Sequence, residues 1–374
     1  MIELYFEGDK YRELFELTDA EKQLVEIGSP RFRNIYFSRM DSIFPDSGSY
    51  KFLEFNCDSP GGAYYSDIQW EVLNNLDVFK QMSERYEFVH DPYRPRVLDT
   101  LLTAWKDAGK SGRPNIAVIG NPDVTNVEEF RLFAEMFRDE DYNGKFTDPW
   151  SLEYKNNQLL KSGQRVDLIY RRGILDDYSK RLIAAKPVID AYRDDNVVFV
   201  NPLASKLGDN KNLLEVMTDP DMEWLFTPEE RSILKEHLPW TRIIRERKTE
   251  HDGRNVDLIE YLSRNRRLFV IKPNSAYGGR GVVIGREATP AQWEATIQNA
   301  LKTPHVVQEY VKIPEFEIPL IKDNQLVWES KKINVNFFTF NGRFGGGFCR
   351  TSNSSVINIS AGGALVSFCV VKTK

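Results

Sequence analysis

Cysteine is scarce in this chain: Cys57, Cys349 and Cys369 are the only three in 374 residues, and they show no paired metal-ligand spacing. An odd, sparse set argues against a disulfide framework and fits a reducing compartment. Histidine is almost as rare. His90, His237, His251 and His305 are scattered, none has a partner at i+4, and they read as surface or core side chains rather than metal ligands. No stretch approaches the roughly eighteen consecutive apolar residues of a membrane span. The first ten residues carry several charges and no apolar run, which does not match a signal peptide. Concentrated positive charge is also missing: the net charge is −5 and Lys and Arg are dispersed, so nucleic acid is not expected as the main partner. The expectation is a cytoplasmic protein without membrane or nucleic-acid partners.

What is present is an ordinary globular composition, with 41% hydrophobic and 28% charged residues. The length suits two or three domains. Helical patterning opens the chain, followed by strand-like runs at Asn34–Ile43 and Tyr50–Asn56 around the turn-rich Pro45-Asp46-Ser47-Gly48-Ser49. Helical segments near 66–85 and 94–108 follow, and Met40 and Phe55 are expected to face the core. From Asn115 strands alternate with helices: 115–119, a helix from about 126 to 138, a strand at 167–171, a helix near 176–192 and a strand at 196–200. That alternation predicts a small parallel α/β unit. Beyond Gly208 the pattern is mixed, α+β, with a strand at 268–272 and a helix near 290–301. The expected divisions are 1–110, 111–205 and 206–374. Oligomeric state is not legible.

Two segments carry chemistry. In Lys272-Pro-Asn-Ser-Ala-Tyr-Gly278-Gly279-Arg280-Gly281, a lysine closes one strand and β-branched residues open the next. The glycines let backbone N–H groups approach phosphate oxygens, Lys272 adds a point charge and Arg280 a forked donor. A P-loop and a dinucleotide fingerprint are both excluded, because each must lead into a helix. By itself the loop could equally be a plain hairpin turn. Its neighbours favour a nucleotide: Gln308-Glu309-Tyr310-Val311 could offer backbone groups to an adenine edge, and Lys211, in Asp209-Asn210-Lys211, could reach a phosphate.

The second segment is Arg39-Met40-Asp41 with Glu54-Phe55-Asn56. Strand residues two apart share a face, so a suitable register would gather Arg39, Asp41, Glu54 and Asn56 on one side of a hairpin. Asp41, Glu54 and the Asn56 amide oxygen would suit a hard cation such as Mg²⁺, and Arg39 could stabilise a transferring phosphoryl group. A surface hairpin with alternating charges has the same pattern.

Together these segments resemble the ATP-grasp superfamily, more narrowly its circularly permuted, glutathionylspermidine-synthase-like members. The ordered set is R-x-D, E-x-N, D-N-K, the lysine-to-glycine loop, Q-E, and a late Ser- and Gly-rich strand, here Arg350 to Gly363. Asp58-Ser59-Pro60-Gly61-Gly62 and the strand ending in Arg171-Arg172 also look like this group. The resemblance implies α/β and α+β architecture, an ATP-grasp fold in permuted order with a small parallel α/β (pre-ATP-grasp-like) domain. It further implies a carboxylate–amine ligase that uses ATP and Mg²⁺ and proceeds through an acylphosphate.

By the same carry-over, Lys211 and Lys272 would contact phosphates, while Gly278, Gly279 and Gly281 would form a mobile flap. Gln308, Glu309 and Val311 would line the adenine pocket, with Asp41, Glu54 and Asn56 on the metal and Arg39 on the acylphosphate. Ser59, Arg171, Arg172 and Arg350 are candidate substrate contacts, since a guanidinium can clamp a carboxylate; each arginine could equally be structural. The partners would be a small-molecule or peptide carboxylate and an amine acceptor. Glutathione and spermidine are doubtful, because no counterpart of the family's additional substrate-binding sequence is visible. A catalytically silent scaffold and an ATP-dependent phosphotransferase remain alternatives.

Overall fold

The computed structural model describes residues 2–27, 34–45, 48–357 and 362–373. Two sequence features therefore fall partly outside it: Asp46 and Ser47 of the hairpin turn, and residues 358–361 of the late Ser- and Gly-rich run.

The largest element is a six-stranded antiparallel sheet that joins distant parts of the chain. Its order is Lys51–Asn56, Phe37–Ile43, Gln325–Phe340, Arg343–Ser352 and Ala364–Ser367, with Glu315–Lys322 paired to the first half of Gln325–Phe340. The early hairpin thus borders a strand from near the other end of the sequence. One stretch of its inner face is core: Phe37, Phe338, Phe340 and Phe348 pack with Tyr93 and Val97 of the helix Tyr93–Asp107. Fully burying one such side chain contributes about 1.5–3 kcal/mol. Met40 and Phe55 point the other way and stay half-buried, contrary to expectation. Alternation assigns residues to two faces, but it does not say which face gets covered.

A second sheet is parallel, in the order Val198–Val200, Leu168–Arg171, Ile116–Ile119, Gly144–Thr147. In chain order this is a 2-1-3-4 arrangement, with its reversal between Ile116–Ile119 and Leu168–Arg171. One side packs on the N-terminal helices through Tyr5, Phe15 and Leu24. The other packs on the helices Tyr93–Asp107 and Val127–Asp139. Ile116–Ile119 and Val198–Val200 are continuous apolar runs, as is 168–170, because both faces are covered; Gly144–Thr147, at the sheet's edge, is not. Within this unit the helix expected over 176–192 is broken into Leu175–Ser179 and Leu182–Arg193. The one expected near 66–85 becomes Ala63–Asn74 and Asp77–Met82, interrupted where Asn74 and Asn75, poor helix formers, precede an extended Leu76.

The third sheet is antiparallel: Thr241–Ile243, His305–Glu309, Phe269–Pro273 and Val283–Ile284. It carries its own core with the helices Leu258–Arg264 and Pro290–Ala300. The latter starts at a capping box, in which Thr289 and Gln292 satisfy each other's backbone N–H groups, with Pro290 at its first position. Its Trp293, Ile297 and Ala300, spaced four and three apart, bury one face. No helix of the described residues is long and apolar enough to cross a membrane.

Candidate active site

In the early hairpin, Arg39 lies opposite Asn56 and Asp41 opposite Glu54, with a register shift just beyond, between Asp41 and Ser42. All four therefore share one face. On its other side Asp41 is level with Asn336, and Asn334 is level with Arg350. A polar stripe so crosses four neighbouring strands, on the same face as the buried phenylalanines and beyond their end. Asn334 and Asn336 were not singled out from sequence, where a polar residue at every second position of a long strand carries no distinguishing mark.

The stripe is closely bonded. Arg39 Nε donates to Asp41 Oδ1 at 2.8 Å and Arg39 Nη1 to the Gly61 carbonyl at 3.2 Å. Arg350 Nη2 donates to Asp41 Oδ2, and to Asn336 Oδ1 at 2.6 Å. Burial by itself would raise the Asp41 carboxyl, but the Arg350 and Arg39 guanidiniums outweigh it and bring it down to about 2. Asn56 turns its amide nitrogen to Asp41 Oδ1 at 3.2 Å, which leaves its amide oxygen as the outward acceptor.

Across from the hairpin stand two lysines of the later chain. Lys211 Nζ is 3.6 Å from Glu54 Oε2 and donates to Ala276 O, in the glycine loop, at 3.0 Å. Lys272 Nζ donates to Gln308 Oε1 at 2.6 Å and to Leu53 O at 3.3 Å. No ion pair within 4 Å includes Lys272 among the described residues. Burial lowers its pKa to about 8, with the Lys211 charge adding to the effect against Glu54 and Asp41. A buried cation with neutral partners only is suited to receive an anion.

The loop between Pro273 and Val283 is an excursion between two paired strands. Gly278, Gly279 and Gly281 all have positive φ, between 68° and 74°, a region open to glycine at little cost. A Cβ on Gly279 would lie 2.2 Å from Val356 Cγ1, so the loop rests on the late Ser-rich segment. Arg280 sits exposed at its tip, its Nε donating to Tyr277 O at 3.3 Å. Tyr277 reaches inward and accepts from Lys206, a fully buried lysine, at 2.7 Å.

Gln308 holds its side chain between Lys272 and Thr241 Oγ1, the latter at 3.1 Å, so that side chain positions the lysine. Its strand's backbone is paired on both sides. The ladder ends where Glu309 N donates to Trp240 O and Tyr310 N to Leu268 O, and Val311 is the next residue. Glu309 is exposed and Val311 half-buried.

Arg171, Arg172 and Ser59 lie elsewhere, at the reversal point of the parallel sheet, where open α/β sheets commonly take ligands. Here the chain fills that crevice with its own loop, Cys57–Gly62. Arg171, 1% exposed, meets Asp58 Oδ1 at 2.5 Å and also donates to Asn201 O, Gly173 O, Pro202 O and Ser205 Oγ. Arg172 meets Glu129 at 3.1 Å and the Pro60 carbonyl, and Ser59 Oγ donates to Arg172 O at 2.9 Å. The Arg171 donors are spent inside the protein and so are both terminal nitrogens of Arg172, while its Nε is buried without a hydrogen-bond partner among the described residues. The arginines are anchors of the loop following Asn56 rather than open clamps. Two further side chains complete the anchorage. Asn201 bonds the Tyr36 and Phe37 N–H groups and the Phe37 and Cys57 carbonyls, and Asp209 accepts from Cys57 N and Asp58 N.

A hard cation would find oxygens of the right chemistry on the hairpin, although the Asp41 oxygens are engaged by Arg39, Asn56 and Arg350. No group of three or more His, Cys, Asp or Glu side chains placed to hold a metal ion occurs among the described residues; the available set is two carboxylates and an amide oxygen. Such a set is what Mg²⁺ takes when phosphate oxygens supply the rest, and the phosphate-seeking lysines are adjacent.

Comparison with known proteins bears on the family and the fold. The model of a circularly permuted ATP-grasp family matches residues 12–311. An uncharacterised protein of Mycobacterium tuberculosis is 25% identical over 318 residues, covering 80% of this chain and 52% of the relative. A Frankia casuarinae protein named "Putative glutamate–cysteine ligase 2-2" is 26% identical over 318 residues, covering 81% of this chain and 34% of its own length. The chain thus spans about half the length, or less, of these curated relatives. Among solved structures, a glutathione synthetase-like effector of Globodera pallida superposes with TM-score 0.55 at 16% identity, covering 98% of this chain and 80% of the other. A "Putative gamma-glutamylcysteine synthetase" from Methylobacillus flagellatus gives 0.50 at 13%, covering 96% and 85%. At such identities these likenesses speak for the fold.

Proposed function

Because the chain belongs to the circularly permuted ATP-grasp family, we propose that it is an ATP-dependent ligase joining a carboxylic acid to an amine. The observation that carries this reading is the convergence of Lys211 and Lys272 on the Glu54 side of the hairpin. A cation suited to phosphate, on Lys211, stands 3.6 Å from an oxygen suited to a metal, on Glu54.

In this reading the γ-phosphoryl group of ATP moves to a carboxylate oxygen, giving an acylphosphate and ADP. The amine nitrogen then attacks the acyl carbon, phosphate departs with the C–O electron pair, and the amine loses a proton to solvent. Such transfer relies on positioning and charge neutralisation rather than on a protein nucleophile. Lys211 and Lys272 would grip phosphates, and the backbone of Gly278, Gly279 and Gly281 would cover them. The Glu309 and Val311 backbone would meet adenine, while Gln308 orients Lys272. Arg39 would face the acylphosphate and its tetrahedral successor. Asp41, Glu54 and Asn56 would hold Mg²⁺, which neutralises phosphate charge when bound.

The test has two stages. Calorimetric titration with a non-hydrolysable ATP analogue should show binding that Mg²⁺ strengthens. Phosphate release should then be screened over acids and amines, beginning with glutamate and cysteine because of the name the Frankia relative carries. ADP formation that needs the acid and the amine together supports the ligase. Turnover with the acid alone, leaving a stable phosphorylated product, would replace it with a phosphotransferase. No nucleotide binding at all would leave a silent scaffold.

A further inference from the structure

Asp41 has no room for a cation as it stands. Its Oδ1 accepts from Arg39 Nε at 2.8 Å and Asn56 Nδ2 at 3.2 Å; its Oδ2 accepts from Arg39 Nη2 at 3.4 Å and from Arg350 Nη2. A carboxylate offers about four lone-pair sites, and all are occupied. Glu54 is more open, with 31% of its side chain exposed and Lys211 as its ion-pair partner.

The two arginines hold Asp41 differently. Arg39 stands two residues away on the same strand, grips both oxygens and is itself tied to Gly61. Arg350 reaches Asp41 through one nitrogen and has other acceptors at hand. The same Nη2 lies 2.6 Å from Asn336 Oδ1, and its Nε lies 3.4 Å from Asn334 Oδ1. These asparagines are 0% and 7% exposed, and Asn336 Nδ2 is held by Asn334 Oδ1 and the Phe348 carbonyl. Arg350 could thus let go of Asp41 and still keep hydrogen-bond partners, avoiding the penalty of an orphaned buried charge.

We propose that Arg350 is an internal counter-ion standing in the cation's place: it occupies Asp41 in the nucleotide-free protein and yields it when Mg²⁺ arrives with ATP. The inference rests on the ATP and metal assignments above. Four cationic side chains, Arg39, Arg350, Lys211 and Lys272, already surround two carboxylates here. A divalent cation arriving alone adds to a positive excess. A polyphosphate arriving with it reverses the sign and gives the Arg350 fork a new acceptor. Metal and nucleotide binding are then coupled, and each raises the affinity of the other by the same factor.

Mn²⁺ is the probe, with the free ion counted by electron paramagnetic resonance, with and without a non-hydrolysable ATP analogue. The proteins are the full chain, Arg350→Gln, Arg350→Lys and Glu54→Gln. The unaltered protein should bind Mn²⁺ roughly 5–150-fold more tightly with the analogue present. Arg350→Gln should raise nucleotide-free Mn²⁺ affinity about tenfold, a gain that vanishes once the analogue is bound. An equal gain in both states would make Arg350 a stationary charge and overturn the proposal, as would no gain in the nucleotide-free state. Glu54→Gln separates the two layers. If it loses Mn²⁺ while Arg350→Gln gains nothing, the metal site stands and the counter-ion role falls. If it binds Mn²⁺ as the unaltered protein does, both fall. Should Arg350→Gln fail to fold, Arg350→Lys decides: its single ammonium cannot span Asp41 and both asparagines, so the same gain, smaller, is required.

Discussion

The Lys211 ammonium lies 3.6 Å from the Glu54 carboxylate and 3.0 Å from the Ala276 carbonyl of the glycine loop. One side chain therefore touches a candidate metal ligand and the flap together. Lys211→Ala is expected to weaken binding of a non-hydrolysable ATP analogue about 10–100-fold, the range of one charge-assisted hydrogen bond. It should also speed hydrogen exchange across residues 274–281 before any nucleotide is added. Unaltered exchange there would mean that Lys211 does not hold the loop.

The two hairpin carboxylates should separate in stability although both are expected to abolish turnover when neutralised. Asp41 is buried between two guanidiniums; Asp41→Asn leaves Arg39, whose other partner is the Gly61 carbonyl, without its carboxylate and should cost about 3–5 kcal/mol. Glu54 is partly exposed, and its ion pair is longer; Glu54→Gln should stay within about 1 kcal/mol. Denaturant titration of the two variants measures the gap, and equal midpoints would contradict the burial argument.

Lys272 gives a pH signature. Burial holds it at about 8, so the free protein loses this charge as pH rises through that value, while bound phosphate would keep the proton on. Analogue binding at about pH 9 should thus take up protons, and at about pH 6.5 this group should contribute none. Calorimetry in two buffers of different ionisation enthalpy reads the difference, and Lys272→Gln should abolish it. For stability the sign follows from the depressed value. Between about 8 and the unfolded lysine's roughly 10.4 the unfolded chain binds more protons, so this group's contribution rises with pH over that window.

Arg171→Met should destabilise by about 3–5 kcal/mol, because it strands the buried Asp58 carboxylate. The double variant Arg171→Met, Asp58→Leu should recover part of the loss, since apolar replacement of a whole buried pair is tolerated better than removal of one partner. A single variant as stable as the parent would return Arg171 to the list of open substrate clamps.

Gly279→Ala combines a positive φ with a Cβ 2.2 Å from Val356 Cγ1. The expected result is an undocked loop: a raised KM for ATP with the global unfolding midpoint unchanged. Gly253→Ala, also at positive φ but facing open space, is the control for backbone strain alone.

The hairpin face was legible because strand periodicity needs only a spacing of two, and the glycine loop because positive φ needs glycine. What joins them was not. Nothing in Asn334 or Asn336 announces that their strand borders Asp41, since 295 residues separate Asp41 from Asn336. Arg171 and Arg350 carry the same fork, and their local sequences do not say that one is sealed by a neighbouring loop while the other lies on the candidate metal carboxylate. Arginine chemistry is readable from one residue; its partner depends on the tertiary fold.

The Ser42 hydroxyl donates to the Val335 carbonyl across 293 residues of sequence. On the ribosome, at about 5–20 residues per second, the early hairpin waits roughly 15–60 s for its neighbour. During that interval Arg39 and Asp41 sit on an unpaired strand edge, the kind of surface other chains can join. The site is thus completed late in synthesis, and a nascent chain stalled before Val335 would carry the R-x-D and E-x-N residues with one bordering strand still missing.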